Sequence, residues 1–200
     1  LSLVGSEMCI RDRVLVIEDN QVGRIIDNTA TKIKMPVLSS HQKKAEKEVD
    51  SLFAKDQKVL LHGVTGSGKT EIYIHLIEKQ LKKNKKVLYL LPEIAITTQI
   101  IQRLQSYFGK RVGVYHSRFN ISERTELWYA MMDEKLHKYD IILGARSSVF
   151  LPFKNLGLII VDEEHESSYK QFDPSPRYHA RDVASKLSQI YQANLLLGSA

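Results

Sequence analysis

An eight-residue stretch, residues 63–70, restricts the fold of this 200-residue chain more than any other feature. Its sequence, GVTGSGKT, matches the pattern G-x-x-x-x-G-K-[ST] in full. The apolar segment 59–61 precedes it, and apolar residues at helical spacing follow from Ile72. A chance glycine turn is the alternative interpretation, and the flanking strand and helix argue against it. The chain is therefore expected to contain an α/β domain with a phosphate-binding loop after a buried strand.

The residue types of this loop suit phosphate binding. Glycines let the backbone approach a phosphate closely because they carry no Cβ atom, and the loop amides and the helix N-terminus donate to the anion. Lys69 adds positive charge at the β- and γ-phosphates, and the Thr70 hydroxyl can ligate Mg²⁺. The predicted ATP-binding residues of the loop are Gly63, Val64, Thr65, Gly66, Ser67, Gly68, Lys69 and Thr70.

A second apolar segment, residues 158–161, ends in two carboxylates. Sites in parallel sheets open at the carboxyl ends of the strands, where these side chains would lie. We predict that Asp162 binds Mg²⁺ or a water of its coordination shell, and that Glu163 activates the attacking water as a general base. The alternative is an acidic helix cap, which becomes the minor interpretation beside a phosphate-binding loop.

Short apolar runs alternate with helical patterns along the chain. Runs that are apolar at every position are typical of strands buried on both faces, as in a parallel sheet covered by helices. The predicted strands lie at residues 59–61, 87–91, 112–115, 141–143, 158–161 and 195–197.

Local signals predict where the intervening helices begin and end. Ser40 is the predicted N-cap of the helix ahead of the loop, and Asn120 with Glu123 predicts a capping box. Ile94 is assigned to the apolar face of a further helix, which Gly109 ends. A last helix is predicted at about residues 180–190.

Composition excludes several classes of protein. Hydrophobic residues make up 43% and charged residues 26%, the balance of a soluble globular domain. The chain has no apolar run near the ~18 residues that a membrane span needs. A net charge of +6 suits an anionic partner such as nucleic acid. Cys9 is the single cysteine and forms neither a disulfide framework nor a zinc site, so a reducing cytoplasm is expected.

Residues 162–165, DEEH, resemble the DExH motif of superfamily 2 helicases. This resemblance implies that His165 couples the nucleotide site to a second motor lobe and to DNA. Gln42 lies in a segment similar to the helicase Q motif, whose glutamine contacts the adenine edge of ATP. The alternatives are a surface histidine after a strand and a solvated glutamine on a polar helix.

Three further stretches predict contacts with DNA. Residues 91–99 and 144–148 look like DNA-contacting motifs of the same helicase lobe, and their hydroxyls and arginine suit phosphates. Aromatic and basic residues are interspersed over residues 167–182, a composition that holds single strands by stacking and charge. The predicted DNA contacts are Arg146, Ser147, Tyr169, Lys170, Arg177 and Tyr178. The alternatives are helix capping by Ser147 and a loop fixed to the core by its aromatic side chains.

The stretches PFKNLGLIIVDEEHESSYKQ, PRYHARDVA and LLLGSA together resemble the bacterial replication-restart DNA helicases of superfamily 2. The similarity runs from about Leu38 to the end of the chain. It implies a RecA-like P-loop NTPase lobe, an α/β fold with a mostly parallel sheet flanked by helices, truncated before the second lobe. It also implies 3′-to-5′ DNA translocation and unwinding driven by ATP hydrolysis.

The same resemblance implies the surroundings in which the protein works. The expected cofactors are ATP and Mg²⁺, with zinc only in parts of such proteins that this chain lacks. The expected partners are single-stranded and forked DNA, the primosome and the proteins that load the replicative helicase. The expected location is the bacterial cytoplasm in association with the nucleoid, without contact with a membrane.

The chain divides into three expected segments. Residues 1–13 look like a translated sequencing adapter and are expected to be non-native. Residues 14–36 are expected to be the remnant of an upstream DNA-binding region with its linker, and residues 37–200 the nucleotide-binding lobe, incomplete at its C-terminal end.

Two other functions fit the same motifs. One is a superfamily 2 translocase that remodels protein–DNA complexes without unwinding. The other is a non-catalytic binding module, for which Lys69→Ala and Glu163→Gln would leave the biological activity intact.

Overall fold

A computed structural model of the chain describes residues 34–55, 58–64, 66–116, 119–133 and 138–200. The expected adapter-like segment lies outside the described residues, as do residues 14–33 of the expected upstream remnant. The described residues therefore cover most of the expected lobe, residues 37–200, and the last three residues of the expected linker, 34–36.

The strands of the described residues form a parallel sheet and a small separate ribbon. Their bounds are β1 (Lys58–His62), β2 (Lys86–Leu90), β3 (Val112–Tyr115), β4 (Ile141–Gly144), β5 (Leu156–Val161), β6 (Lys170–Gln171), β7 (Tyr178–His179) and β8 (Asn194–Ser199). The sheet has the order β1-β8-β5-β2-β4-β3, and all of its neighbouring strands run parallel. The six predicted strands and the parallel sheet are confirmed.

Helices cover both faces of this sheet. Their bounds are α1 (Ser40–Lys55), α2 (Lys69–Lys82), α3 (Thr98–Phe108), α4 (Ile121–Met132) and α5 (Ala180–Tyr191). Side chains of α1, α2 and α3 build the core on one face, and those of α4 and α5 build the core on the other. The predicted α/β fold with helices on both sides of a parallel sheet is therefore confirmed. No helix among the described residues is both long and apolar enough to cross a membrane.

Two predicted helix starts are wrong. The N-cap of α1 is Ser39, not Ser40: the Ser39 hydroxyl accepts from the Gln42 N–H at 3.2 Å, and the Ser39 N–H donates to Gln42 Oε1 at 2.8 Å. This reciprocal pair is a capping box, which a glutamine three residues after the cap makes possible. Ile94 lies in a 3₁₀ turn ahead of α3 and is 85% exposed, because the helix begins only at Thr98.

Other helix ends follow the predicted signals. Asn120 and Glu123 form the predicted capping box at the start of α4, with hydrogen bonds of 3.0 and 2.8 Å. Gly109 ends α3 with φ +60°, a backbone conformation that glycine adopts without strain.

The antiparallel ribbon of β6 and β7 was not predicted. It pairs Lys170 with His179 and Gln171 with Tyr178 within the aromatic and basic stretch that follows the DEEH motif. The ring of Tyr178 lies edge-on to Phe150 with 4.8 Å between ring centroids, so the ribbon packs against the turn after β4. The stretch is thereby held beside the carboxyl ends of the sheet strands.

Candidate nucleotide-binding site

The end of β8 joins the two halves of the predicted site. The Gly63 N–H, just after β1, donates to the Ser199 carbonyl at 3.0 Å. The Glu164 N–H, just after β5, donates to the Gly198 carbonyl at 2.8 Å. Since β8 lies between β1 and β5, these bonds fix the phosphate-binding loop and the acidic segment at one edge of the sheet.

The loop between β1 and α2 has the backbone that phosphate binding needs. Gly66 and Gly68 have φ values of +80° and +85°, which only glycine adopts at little cost. Gly68 is also the N-cap of α2, so the free amides of the helix N-terminus face the loop. The Ser67 N–H closes the turn by donating to the Val64 carbonyl at 3.0 Å. Thr65 lies outside the described residues, and its predicted contact stays a prediction.

Lys69 and Glu163 meet across this edge. The Lys69 ammonium donates to the Gly63 carbonyl at 2.6 Å and lies 3.7 Å from Glu163 Oε1. Lys69 is buried, whereas the Glu163 side chain keeps 29% of its surface exposed. The loop cation and the predicted general base thus converge although 94 positions separate them in sequence.

His165 lies on the outer side of the same carboxylate. Its Nε2 is 3.8 Å from Glu163 Oε2, and its Nδ1 is 3.3 Å from the Ser199 hydroxyl. Half of its side chain is exposed, so it contacts the nucleotide site and solvent at once. This position is compatible with the predicted coupling role, which stays a prediction.

Three hydrogen-bond donors surround the Asp162 carboxylate, and the two from side chains were not predicted from the sequence. The Tyr73 hydroxyl donates to Oδ1 at 3.0 Å, and the Tyr89 hydroxyl donates to Oδ2 at 3.1 Å. The Glu163 N–H donates to Oδ1 at 3.1 Å. Tyr73 lies within the apolar pattern of α2 and Tyr89 within that of β2. Nothing in the sequence predicts that their hydroxyls contact an aspartate.

Burial governs the protonation of this cluster. It raises the pKa of Asp162 above its usual value, and the hydrogen bonds from Tyr73 and Tyr89 oppose that rise. Burial, and then the neighbouring charge of Asp162, raise the pKa of both tyrosine hydroxyls well above 10. Both hydroxyls are therefore protonated donors throughout the physiological pH range.

The donor set at this edge fits a magnesium ion. Mg²⁺ prefers hard oxygen ligands and is commonly held by one or two protein groups together with substrate phosphates. The Asp162 carboxylate and the Thr70 hydroxyl, at the N-terminus of α2, are such oxygens. Both carboxylate oxygens of Asp162 accept hydrogen bonds, as those of an ionised carboxylate do. The ionised form is also the one that binds a cation.

Gln42 reaches the phosphate-binding loop from α1. Its Nε2 donates to the Gly68 carbonyl at 3.2 Å, although 26 positions separate the two residues. A Cβ atom on Gly68 would overlap Gln42 Nε2, so the approach depends on that glycine. Gln42 thus lies beside the phosphate-binding loop, and its contact with adenine stays a prediction.

Two of the predicted DNA contacts have other partners. Arg146 Nη1 donates to the Ser168 carbonyl at 3.2 Å and to the Lys170 carbonyl at 3.4 Å. Tyr169 is fully buried, and its hydroxyl donates to the Asp162 carbonyl at 2.6 Å. This burial is contrary to the predicted stacking of Tyr169 on a base and matches the alternative, a loop fixed to the core by an aromatic side chain.

The other predicted DNA contacts remain accessible. Arg177 is exposed, and Ser147, Lys170 and Tyr178 are partly exposed. Arg181, at the start of α5, pairs with Glu164 through a 2.6 Å contact from Nη1 to Oε2. Glu164, the third acidic residue of the DEEH motif, therefore forms an ion pair with the first turn of α5.

Comparisons with known proteins agree with this geometry. Residues 39–200 match the family model described as DEAD/DEAH box helicase. The chain is 45% identical over 169 residues to the replication restart protein PriA of Bacillus subtilis (strain 168), covering 83% of this chain and 20% of the relative. It is 46% identical over 165 residues to PriA of Synechocystis sp., covering 82% of this chain and 19% of that protein. The chain thus spans about a fifth of the length of these curated relatives.

Solved structures share the fold at low sequence identity. A structure of RecG bound to a three-way DNA junction superposes with a TM-score of 0.59 at 21% identity, covering 82% of this chain and 21% of that one. The DUF1998 helicase MrfA gives a TM-score of 0.57 at 19% identity, covering 84% of this chain and 27% of that one. Both support a RecA-like helicase lobe as the fold.

Proposed function

Because this chain belongs to the DEAD/DEAH box helicase family, we propose that it is the nucleotide-binding lobe of an ATP-dependent DNA helicase that acts in replication restart. The replication-restart assignment rests on 44–47% identity to PriA proteins of several bacteria. The direction of movement, 3′ to 5′, comes from the resemblance of the DEEH block and the segments after it.

The observation that carries the proposal is the 3.7 Å approach of Lys69, the first residue of α2, to Glu163, which follows β5. The Lys69 ammonium would balance the charge of the β- and γ-phosphates of ATP. Glu163 would accept a proton from the water that attacks the γ-phosphorus atom, while the bond to the bridging oxygen breaks and ADP leaves. The amides at the N-terminus of α2 would bind the phosphates throughout.

Thr70 and Asp162 would hold Mg²⁺ beside the nucleotide. When bound, the ion supplies charge neutralisation at the β- and γ-phosphate oxygens. Asp162 contributes a buried carboxylate whose orientation is fixed by hydrogen bonds. Gln42, next to the loop, would contact the adenine.

Nucleic acid would bind along the carboxyl edge of the sheet. Of the predicted contacts, we retain the partly or fully exposed Ser147, Lys170, Arg177 and Tyr178. Single-stranded and forked DNA are the proposed substrates, and His165 would couple their binding to Glu163. For a protein of the relatives' length, the proposed partners are the primosome and the proteins that load the replicative helicase, in the bacterial cytoplasm at the nucleoid.

Strand separation on forked DNA tests this proposal. A protein that carries this lobe at the length of its relatives should displace the annealed strand in the presence of ATP and Mg²⁺. Partial duplexes with a 3′ or a 5′ single-stranded tail should distinguish the direction, and we expect unwinding from the 3′ tail only. ATP hydrolysis that DNA stimulates without strand separation would instead identify a translocase, and unwinding from the 5′ tail would contradict the direction.

A further inference from the structure

We propose that Tyr73 and Tyr89 are positioning residues that hold the Asp162 carboxylate in the orientation required for Mg²⁺ binding. The inference rests on the proposed function, because it concerns the metal that accompanies the nucleotide. It assigns a role to two side chains that belong to none of the nucleotide-binding motifs in the sequence.

The two hydroxyls approach the carboxylate from different elements. Tyr73 comes from α2 and bonds Oδ1, whereas Tyr89 comes from β2 and bonds Oδ2. Both side chains are fully buried, and their rings pack edge-to-face with 5.7 Å between centroids. Because the packing of the buried rings fixes the positions of both hydroxyls, the carboxylate cannot rotate without breaking their hydrogen bonds and the one from the Glu163 N–H.

The bonding of each oxygen indicates which one remains available to the metal. A carboxylate oxygen offers about two acceptor positions. Oδ1 of Asp162 accepts from the Tyr73 hydroxyl and from the Glu163 N–H, so both of its positions are filled. Oδ2 accepts only from the Tyr89 hydroxyl among the described residues and keeps one position open. The geometry therefore assigns Oδ2 to the metal or to a water bound to it.

The end of β8 leaves room for this arrangement. A Cβ atom on Gly198 would overlap the Tyr73 hydroxyl oxygen and lie 2.8 Å from Asp162 Oδ1. The φ angle of Gly198 is not in the left-handed region, so the backbone itself would accept a larger residue. It is the Tyr73 hydroxyl that leaves no room for a side chain at this position. The glycine is thus part of the same support.

Removing a hydroxyl should weaken metal binding while leaving the packing in place. Phenylalanine keeps the buried ring, and the carboxylate loses one of its three donors. Changes to residues that orient a metal ligand usually lower metal affinity about 10- to 100-fold. We expect Tyr73→Phe and Tyr89→Phe each to raise the Mg²⁺ concentration for half-maximal effect by about tenfold.

The experiment measures binding and needs no turnover. The 200-residue chain is mixed with a fluorescent, non-hydrolysable ATP analogue, and Mg²⁺ is titrated into the mixture. The same analogue is also bound in the presence of EDTA, where we expect the variants to match the unsubstituted protein. Tyr191→Phe is the matched control, because it removes a hydroxyl that bonds the Phe153 carbonyl at 2.9 Å, away from the site. It should leave both affinities unchanged.

The outcomes separate this inference from the proposed function. An unsubstituted chain whose analogue binding does not respond to Mg²⁺ would contradict the proposed nucleotide site itself. A normal response in the unsubstituted chain, together with unshifted curves for both phenylalanine variants, would overturn only the role of the tyrosines. Equal losses with and without Mg²⁺ would also overturn it, since they would indicate a purely structural contribution to the lobe.

Discussion

At the residue scale, a few side chains connect segments that are distant in sequence. Lys69 contacts Glu163, Gln42 contacts the Gly68 carbonyl, and Tyr73 contacts Asp162. Each contact crosses from one element of the lobe to another. The nucleotide site is therefore a product of the sheet order, which places the ends of β1, β8 and β5 side by side.

Substitutions at two glycines of the phosphate-binding loop, Gly66 and Gly68, would distinguish the cost of backbone strain from the cost of steric overlap. Both Gly66 and Gly68 have left-handed backbones, and a side chain there costs about 1–2 kcal/mol. A Cβ atom on Gly66 meets nothing within 4 Å, whereas one on Gly68 overlaps Gln42 Nε2. We expect Gly66→Ala to lower the free energy of unfolding by about 1 kcal/mol, and Gly68→Ala by about 1 kcal/mol more because Gln42 would have to give up its hydrogen bond to the Gly68 carbonyl.

Urea unfolding of the two variants, followed by circular dichroism, would measure this difference. Equal losses of stability would show that Gln42 moves aside at no cost. In that case the contact between α1 and the loop would be looser than the 3.2 Å hydrogen bond indicates.

Motif chemistry determined which site residues could be predicted from the sequence. The loop residues, Asp162 and Glu163 could be proposed from the sequence because fixed residue types recur at fixed spacings, and their roles stay predictions. Tyr73 and Tyr89 were missed because a tyrosine within an apolar pattern predicts only burial. Their hydroxyls reach Asp162 across 89 and 73 positions, and only the packed sheet and helix determine that.

At the element scale, apolar runs located the strands of the sheet well. β5 is buried at all six positions, so its sequence needs no alternation to identify it. The ribbon of β6 and β7 was missed because two-residue strands carry no periodicity. The start of α3 was misplaced because Ile94 is apolar yet precedes the first helical turn.

Two arginines in or beside the ribbon have different surroundings. Arg146 donates to the Ser168 and Lys170 carbonyls, while Arg177 is exposed. Hydrogen bonds from charged groups contribute about 1.5–3 kcal/mol, and exposed substitutions usually change stability by less than about 0.5 kcal/mol. We expect Arg146→Ala to destabilise the lobe by about 1–2 kcal/mol and Arg177→Ala to leave its stability unchanged.

Hydrogen exchange and DNA binding would distinguish the two roles. Arg146→Ala should speed exchange at the amides near residues 168–171, and Arg177→Ala should weaken single-strand binding without that change. If Arg146→Ala weakened DNA binding while exchange and stability stayed normal, the contact with the two carbonyls would not be its main role.

At the scale of the whole molecule, this lobe matches one part of relatives that are about five times as long. Transition-state charge in related NTPases is stabilised by an arginine finger that contributes about 10³-fold or more to turnover. We propose that such an arginine comes from outside this lobe. The 200-residue chain alone should therefore bind nucleotide weakly and hydrolyse it slowly.

Steady-state phosphate release from the purified chain, with and without DNA, would check this expectation. Rapid hydrolysis that DNA stimulates further would show that one lobe is sufficient. The arginine would then have to lie among the residues of this chain.

The central claim, that this lobe belongs to a DNA-driven motor, is tested most directly by ATP hydrolysis. It should be measured on a protein of the relatives' length, with and without single-stranded and forked DNA. It should be compared with Glu163→Gln and with Glu48→Gln, the same substitution at an exposed position on α1. We predict hydrolysis that rises with DNA, is abolished by Glu163→Gln and is unaffected by Glu48→Gln. Hydrolysis that is independent of DNA, or that survives Glu163→Gln, would contradict the assignment of this lobe to a DNA-driven motor.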